Sequence, residues 1–419
     1  MPSITNYGTY TGSVKINSNL IFGALFNVLI SQYVFADNIK GTYSELVDSA
    51  RVDGTLYGDT KAYYATDVLK SRPFLGDAEA ANLLSVNRPK APEVQYLTMD
   101  VFRQIDITVD NYLTKQAWSD EGTFTAFNSV VLSWIRETKK VYDSTTYNSY
   151  IGTAESSVQG AHEIDISTAR GNASSELEAD RLEALEVAKS LADLIDDMKD
   201  TSRKYNDYNF LRSYNEDDLV IVISTRFANK LTKFDLPTIY HKEGVDITKM
   251  CKKIPARYFG TLLTSSNLKT YATGTAYSAG DFIYDSTGVK VYKVTADIAS
   301  GSNTALSDVT KTEQVVRAAI EKTYTISTTD DTHVFAGDIL PAGTTIGTSQ
   351  DMDYGEIYAE DNTKVGVIMR KGSVPYMSAF EVGTSFFNPR SLTENHYLTF
   401  GHNTLEYLKN YPFLVLKKI

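Results

Sequence analysis

The chain has 419 residues, with 41 Lys and Arg against 52 Asp and Glu, and so carries a net charge of −11. Its one cysteine, Cys251, excludes a disulfide framework and any Cys-based zinc site. The acidic balance argues against a protein that grips nucleic acid by neutralising phosphates. The length fits two or three domains with a sizeable core. Tyrosine is abundant, at 28 residues, and this amphipathic side chain favours interfaces.

Residues 1–19 are polar, with Gly8 and Gly12, and read as an extended arm. Met1 to Tyr10 has no basic residue, so the first part of a secretory signal is missing. Leu20 to Phe35 is apolar but short, and Asn27, Ser31 and Gln32 interrupt it, which predicts a packed helix over 20–36 with no membrane span. Residues 41–118 mix alternating stretches with turn signals such as Asp53-Gly54, and Pro73, Pro89 and Pro92 break any helix there. Val101 to Leu113 alternates with period two, as a strand with one apolar face. This segment reads as a long two-stranded excursion.

Two helices follow. Phe127, Val130, Val131, Trp134, Ile135, Val141 and Tyr142 form a stripe that predicts a helix over about 123–143. Ser175 to Glu178 fits a capping box, and Leu177, Ala184, Val187, Leu191, Leu194 and Met198 continue at helical steps. Between Glu176 and Asp200 there are nine acids and three bases, a net of −6, read as a solvated face. Asp218 to Ser224 is a β-branched run that predicts a strand buried on both faces, with a short helix over 225–233 behind it.

Residues 268–316 are rich in small residues, with aromatics at strand spacing, and read as three short strands in a small inserted β module. Strands are expected again at Thr332–Ile339, Lys364–Met369, Tyr397–Phe400 and Phe413–Leu416. From Lys364 onward seven bases face three acids, a net of +4. Acidic and basic segments of this kind suit contacts between copies of one protein.

Catalytic signals are absent. There is no phosphate-binding loop of the Gly-Lys-Ser/Thr type and no Gly-x-Ser-x-Gly elbow. The histidines, His162, His241, His333, His396 and His402, show no ligand spacing; His396 and His402 could meet in space but read as structural. Lys249, Lys252 and Lys253 flank Cys251 and could lower its thiol pKa, yet no base accompanies it. Asp351 to Glu356 reads as a surface turn and not as a calcium loop. No cofactor, metal or catalytic residue is expected.

The order of segments resembles the major capsid proteins of tailed bacteriophages, the HK97-like fold family. Asp218 to Leu231 resembles the axial-domain strand and the helix after it. His333 to Thr345 resembles a strand-and-turn of that domain, and Lys364 to Val374 with Phe386 to Ile419 the C-terminal strands. Residues 268–316 look like the small carbohydrate-binding-type modules of phage structural proteins. The resemblance implies an α+β fold with an N-terminal arm and short helix (1–40), an extended loop (41–118), a peripheral domain with a long spine helix (119–210, with strands 364–400), an axial α/β domain (211–267 and 317–363), the inserted all-β module (268–316) and a C-terminal strand (401–419).

It further implies a self-assembling icosahedral shell of pentamers and hexamers that encloses DNA without binding it specifically. Separate scaffolding, portal and cement proteins would be its partners. It would be made in the host bacterial cytoplasm and reside in the virion. The short arm, against the long scaffolding segment of many members, implies a separate scaffolding protein or none. Some members cross-link through a lysine of the extended loop, where Lys61 and Lys70 stand here as ordinary exposed lysines. Arg51, Lys61, Lys70 and Arg72 are the expected inter-subunit contacts. The competing readings are a tail or baseplate protein with a glycan-binding module, and a glycan hydrolase.

Overall fold

A computed structural model describes residues 44–54, 58–71, 88–110, 121–233, 251–263, 268–284, 291–302 and 357–419, with shorter pieces between 306 and 345. The expected arm and the helix over 20–36 lie outside the described residues. The chain forms two compact units: Tyr43–Val101, Val141–Ala379 and His402–Ile419 make one, and Met1–Thr42, Phe102–Lys140 and Phe380–Gly401 the other.

The elements begin with α1 (Glu45–Ala50), β1 (Arg51–Asp53), β2 (Thr60–Ala65), β3 (Glu93–Asp110) and α2 (Glu121–Thr153). Next come β4 (Ala161–Ile164), α3 (Ser167–Gly171), α4 (Glu176–Lys199), β5 (Leu219–Ser224), α5 (Thr225–Lys233), β6 (Cys251–Ile254) and β7 (Gly260–Leu262). Short strands follow: β8 (Leu268–Thr270), β9 (Phe282–Tyr284), β10 (Val291–Val294), β11 (Thr312–Glu313), β12 (Arg317–Ala318), β13 (Lys322–Ile326), β14 (Asp330–Val334) and β15 (Thr344–Thr345). The chain closes with β16 (Ile357–Glu360), β17 (Lys364–Arg370), β18 (Tyr376–Asn388), β19 (Thr393–Asn403) and β20 (Phe413–Lys418).

The central sheet has the order β4-β20-β17-β5-β6. β17 is antiparallel to β5 and β20, while β4 runs parallel to β20 and β6 parallel to β5. Every residue of β5 is buried, because its side chains alternate into two cores. Leu219, Ile221 and Ile223 pack with Val187, Leu191 and Ile195 of α4 and with Phe227 of α5. Val220 and Val222 pack with Tyr147 and Ile151 of α2, Leu46 and Val47 of α1, and Phe413 and Val415 of β20. Helices therefore cover both faces of the sheet, as the sequence predicts for 218–224. β17 pairs with β5 on one edge and β20 on the other, and its side chains meet α4 on one face (Val365, Ile368) and α2 on the other (Val367, Met369), so the strand at 364–370 joins the 211–267 segment to the helices of 119–210.

α4 begins as expected. Ser175 Oγ accepts from Glu178 N at 3.3 Å, while the Glu178 carboxylate reaches back one residue further, to Ser174 N at 2.9 Å. α2 extends ten residues past the predicted end at 143. β3 starts at Glu93, eight residues before the alternation at Val101, and ends at Asp110.

A second five-stranded sheet has the order β1-β18-β19-β3-β2. The inserted module has four strands where three were expected, in the order β11-β10-β9-β8. It has its own core of Tyr277, Ile283, Val294 and Ile298. A small sheet, β12-β16-β7, sits at its base, and Leu262 and Arg317 both stand opposite Tyr358. The strand expected over Thr332–Ile339 is found as β14, and 335–340 lie outside the described residues. Among the described residues no helix is long and apolar enough to cross a membrane.

Candidate assembly surface

β2 and β3 form an antiparallel ribbon with Thr60 opposite Thr98, Ala62 opposite Tyr96 and Tyr64 opposite Val94. Strand alternation places these six residues on one face. Gln95, Leu97 and Ala65 fall on the other and are buried. That covered face is bolted down at Gln95, whose Nε2 donates to Tyr407 O at 3.0 Å and whose Oε1 accepts from Lys409 N at 2.9 Å. Asp100 accepts from Thr404 N at 2.6 Å and from Thr404 Oγ1 at 2.7 Å.

The open face carries Tyr64, 70 % exposed, and Tyr96, 62 % exposed. Beyond β2 the Asp67 carboxylate accepts from Leu211 N at 3.0 Å and from Arg203 at 2.8 Å. The Leu211 amide first, and then Arg203, hold its pKa down at about 2. Val68 and Leu69 then stand exposed.

The expected contact residues do not converge. Arg51 turns inward: its guanidinium donates to Asp143 at 3.0 Å and to Asp48 at 3.1 Å, and lies 5.6 Å from the centre of the Tyr376 ring. Tyr376 Oη donates to the same Asp143 at 2.7 Å. Lys61 Nζ donates to the Asp53 carbonyl. Lys70 is exposed, and Arg72 lies outside the described residues. Sequence reading did not single out Tyr64 and Tyr96. The available signal was Thr60 to Ala65, where apolar residues occupy both phases of the alternation, so that both faces want cover.

The charge segregation is also used within the chain. Lys417 meets Glu155 at 3.0 Å and Lys418 meets Glu183 of the acidic helix at 2.9 Å. Lys364 Nζ donates to Gly260 O at 2.6 Å, and Arg370 stacks 4.3 Å from the Tyr411 ring centre. Glu183 is fully buried, and burial alone would raise its pKa. Lys418, Lys230 and Arg170 outweigh that and hold it below the usual carboxylate range. These charges cannot also serve as free edges toward a neighbour.

The remaining candidates are structural or undescribed. His162 pairs with Ser190 Oγ at 2.9 Å, and His402 with Tyr142 Oη at 3.0 Å and Asn403 O at 2.8 Å. His396 and His402 lie six residues apart on β19, about 20 Å along the strand, and do not meet. Burial pushes the Cys251 thiol up to about 12 against the pull of Lys253, so it is not a reactive thiolate. His241 and Asp351 to Glu356 lie outside the described residues, as does the side chain of His333. Among the described residues no group of three His, Cys, Asp or Glu could hold a metal ion.

Comparison with known proteins agrees with a shell subunit. The family of Phi29-like phage major capsid proteins matches residues 3–416. A chain of the capsid structure of Staphylococcus phage Andhra superposes with a TM-score of 0.54 at 12 % identity, covering 93 % of this chain and 87 % of that one. A chain of the structure of head fiber and inner core protein gp22 of native bacteriophage P68 gives 0.52 at 10 % identity, covering 88 % and 83 %. No curated protein sequence matches the chain. The tail, baseplate and hydrolase readings find no support in these matches. A full-length family match and a capsid fold lead to one assignment: the chain belongs to the Phi29-like phage major capsid protein family.

Proposed function

We propose that copies of this chain tile, as pentamers and hexamers, into a closed icosahedral shell around phage DNA, and that the open face of the β2–β3 ribbon lies on a neighbouring copy. The observation that carries this reading is the pair Tyr64 and Tyr96, exposed on one face of a ribbon whose other face is packed. Exposed tyrosines supply contact area with little rotamer entropy to lose. Lys70, exposed beyond β2, would stand beside this contact. Residues 119–210 would be the peripheral part, with α2 as its spine, and 211–267 with 317–363 the axial part. Separate scaffolding, portal and cement proteins are the partners that shell assembly calls for, and assembly would occur in the host bacterial cytoplasm. The role is structural, without catalysis.

The double variant Tyr64→Ser with Tyr96→Ser tests the contact. Its melting curve should match that of the parent, since both side chains are solvated, while shell yield seen by sedimentation and electron microscopy should fall at least severalfold. Normal shells from this variant would remove the ribbon face from the assembly surface.

A further inference from the structure

We propose that a cavity at the C-terminal end of β5 binds a small tetrahedral oxyanion of the phosphate or sulfate class. The cavity measures about 40 Å³ and lies where β5 hands over to α5, bordered by Ser224 and Arg226. At roughly 10–15 Å³ per water-sized group it holds about three such groups, enough for one small oxyanion and too few for a sugar or nucleotide.

Charge bookkeeping favours an anion. Four cations from three elements line the cavity: Arg226 and Lys230 of α5, Lys364 of β17 and Lys418 of β20. Two carboxylates, Glu183 and Asp361, oppose them. Glu183 is committed to Lys418 at 2.9 Å, to Lys230 at 3.4 Å and to Arg170 at 2.7 Å. Asp361 is turned into its own loop, accepting from Thr363 N at 2.9 Å and Thr363 Oγ1 at 2.6 Å.

Arg226 and Lys364 are left facing neutral acceptors. Arg226 donates to Asn362 Oδ1 at 2.7 Å and Lys364 to Gly260 O at 2.6 Å. The carboxylate nearest Lys364, Glu155 at 4.0 Å, is held by both oxygens on Lys417 at 3.0 Å. The Lys364 side chain is 1 % exposed and its ion pair with Glu155 is long, at 4.0 Å, so a closer counter-charge would stabilise a cation at that depth. The first turn of α5 adds backbone N–H groups without helical partners. A dianion would therefore match the two remaining cations and accept from the helix start.

Isothermal titration of the purified chain with inorganic phosphate, at constant ionic strength with chloride as the balancing anion, tests the site. Saturable binding of one phosphate per chain is expected. Arg226→Gln, at the exposed mouth, should keep the fold and weaken binding roughly tenfold or more, as loss of one charged hydrogen bond does. Lys364→Met should do the same, and where that variant does not fold the Arg226→Gln arm decides. No saturable heat, or equal affinity in the parent and Arg226→Gln, would overturn the proposal.

Discussion

Arg51 spends its guanidinium on Asp143, whose side chain is 1 % exposed and lies 92 positions away. A sequence shows an arginine at the foot of an extended loop and suggests a surface contact. Only the fold reveals the buried carboxylate that claims it. Removing one partner of such a pair leaves an uncompensated buried charge. Arg51→Met should therefore lower the stability of the unassembled chain by about 2–3 kcal/mol, after allowance for the third of the arginine that is solvated. Melting by circular dichroism checks this. An unchanged melt together with lost assembly would return Arg51 to the contact surface.

Lys364 makes a pH-dependent counterpart. Burial drops its pKa to about 8, partly offset by Glu155, against 10.5 for the ordinary side chain. Between these values the unfolded chain binds more protons than the folded one, so this group's contribution to stability rises with pH. In Lys364→Met that dependence disappears. The melting temperature of the variant relative to the parent should be highest near about pH 7 and fall toward about pH 9.5, whatever constant penalty the Gly260 carbonyl adds. A difference that does not vary with pH would show that Lys364 is not a strained cation.

At the scale of elements, legibility tracked how many faces carry signal. β5 announced itself through six consecutive apolar or small residues, and α4 through its cap and stripe. The last ten residues of α2 were missed because Ser, Thr, Asn and Gly make up seven of residues 144–153, and Tyr147, Tyr150 and Ile151 give only one helical turn of apolar signal. These residues are mostly buried on every side, so burial has no helical period to report. Their hydroxyls are satisfied partly by the helix itself, as Thr145 Oγ1 and Thr153 Oγ1 donate to carbonyls four residues back at 2.7 Å. The same crowding explains Gly152. A Cβ there would stand 2.0 Å from the Tyr258 carbonyl oxygen, a backbone atom that cannot swing aside. Gly152→Ala should cost about 3 kcal/mol or more through forced separation of α2 from the turn at 256–258. Gly171→Ala, where a Cβ meets nothing within 4 Å, should stay within about 0.5 kcal/mol. Equal melts for the two variants would mean that the close approach is not needed.

For the whole molecule, the net charge of −11 is less segregated than the linear order implies, because the basic C-terminal strand neutralises Glu155 and Glu183 inside the same chain. Sequence order could not show that strand lying beside β4 and against the acidic helix. The short strands from Leu268 to Glu313 were legible for the opposite reason: their pairings are local. The inserted module's core of Tyr277, Ile283, Val294 and Ile298 is separate from the two cores of the central sheet. Its base is also closed. Leu262 and Arg317 flank Tyr358 on neighbouring strands, so they lie two strand spacings apart, about 10 Å. The five residues 263–267 reach up to about 17 Å and can bridge that gap. Deleting 268–316 should therefore leave a chain that folds with the parent's main melting transition and still builds shells visible by electron microscopy. Failure to fold would make the module part of the main core. Folding without assembly would make it a contact between copies, and the ribbon face would then share its role.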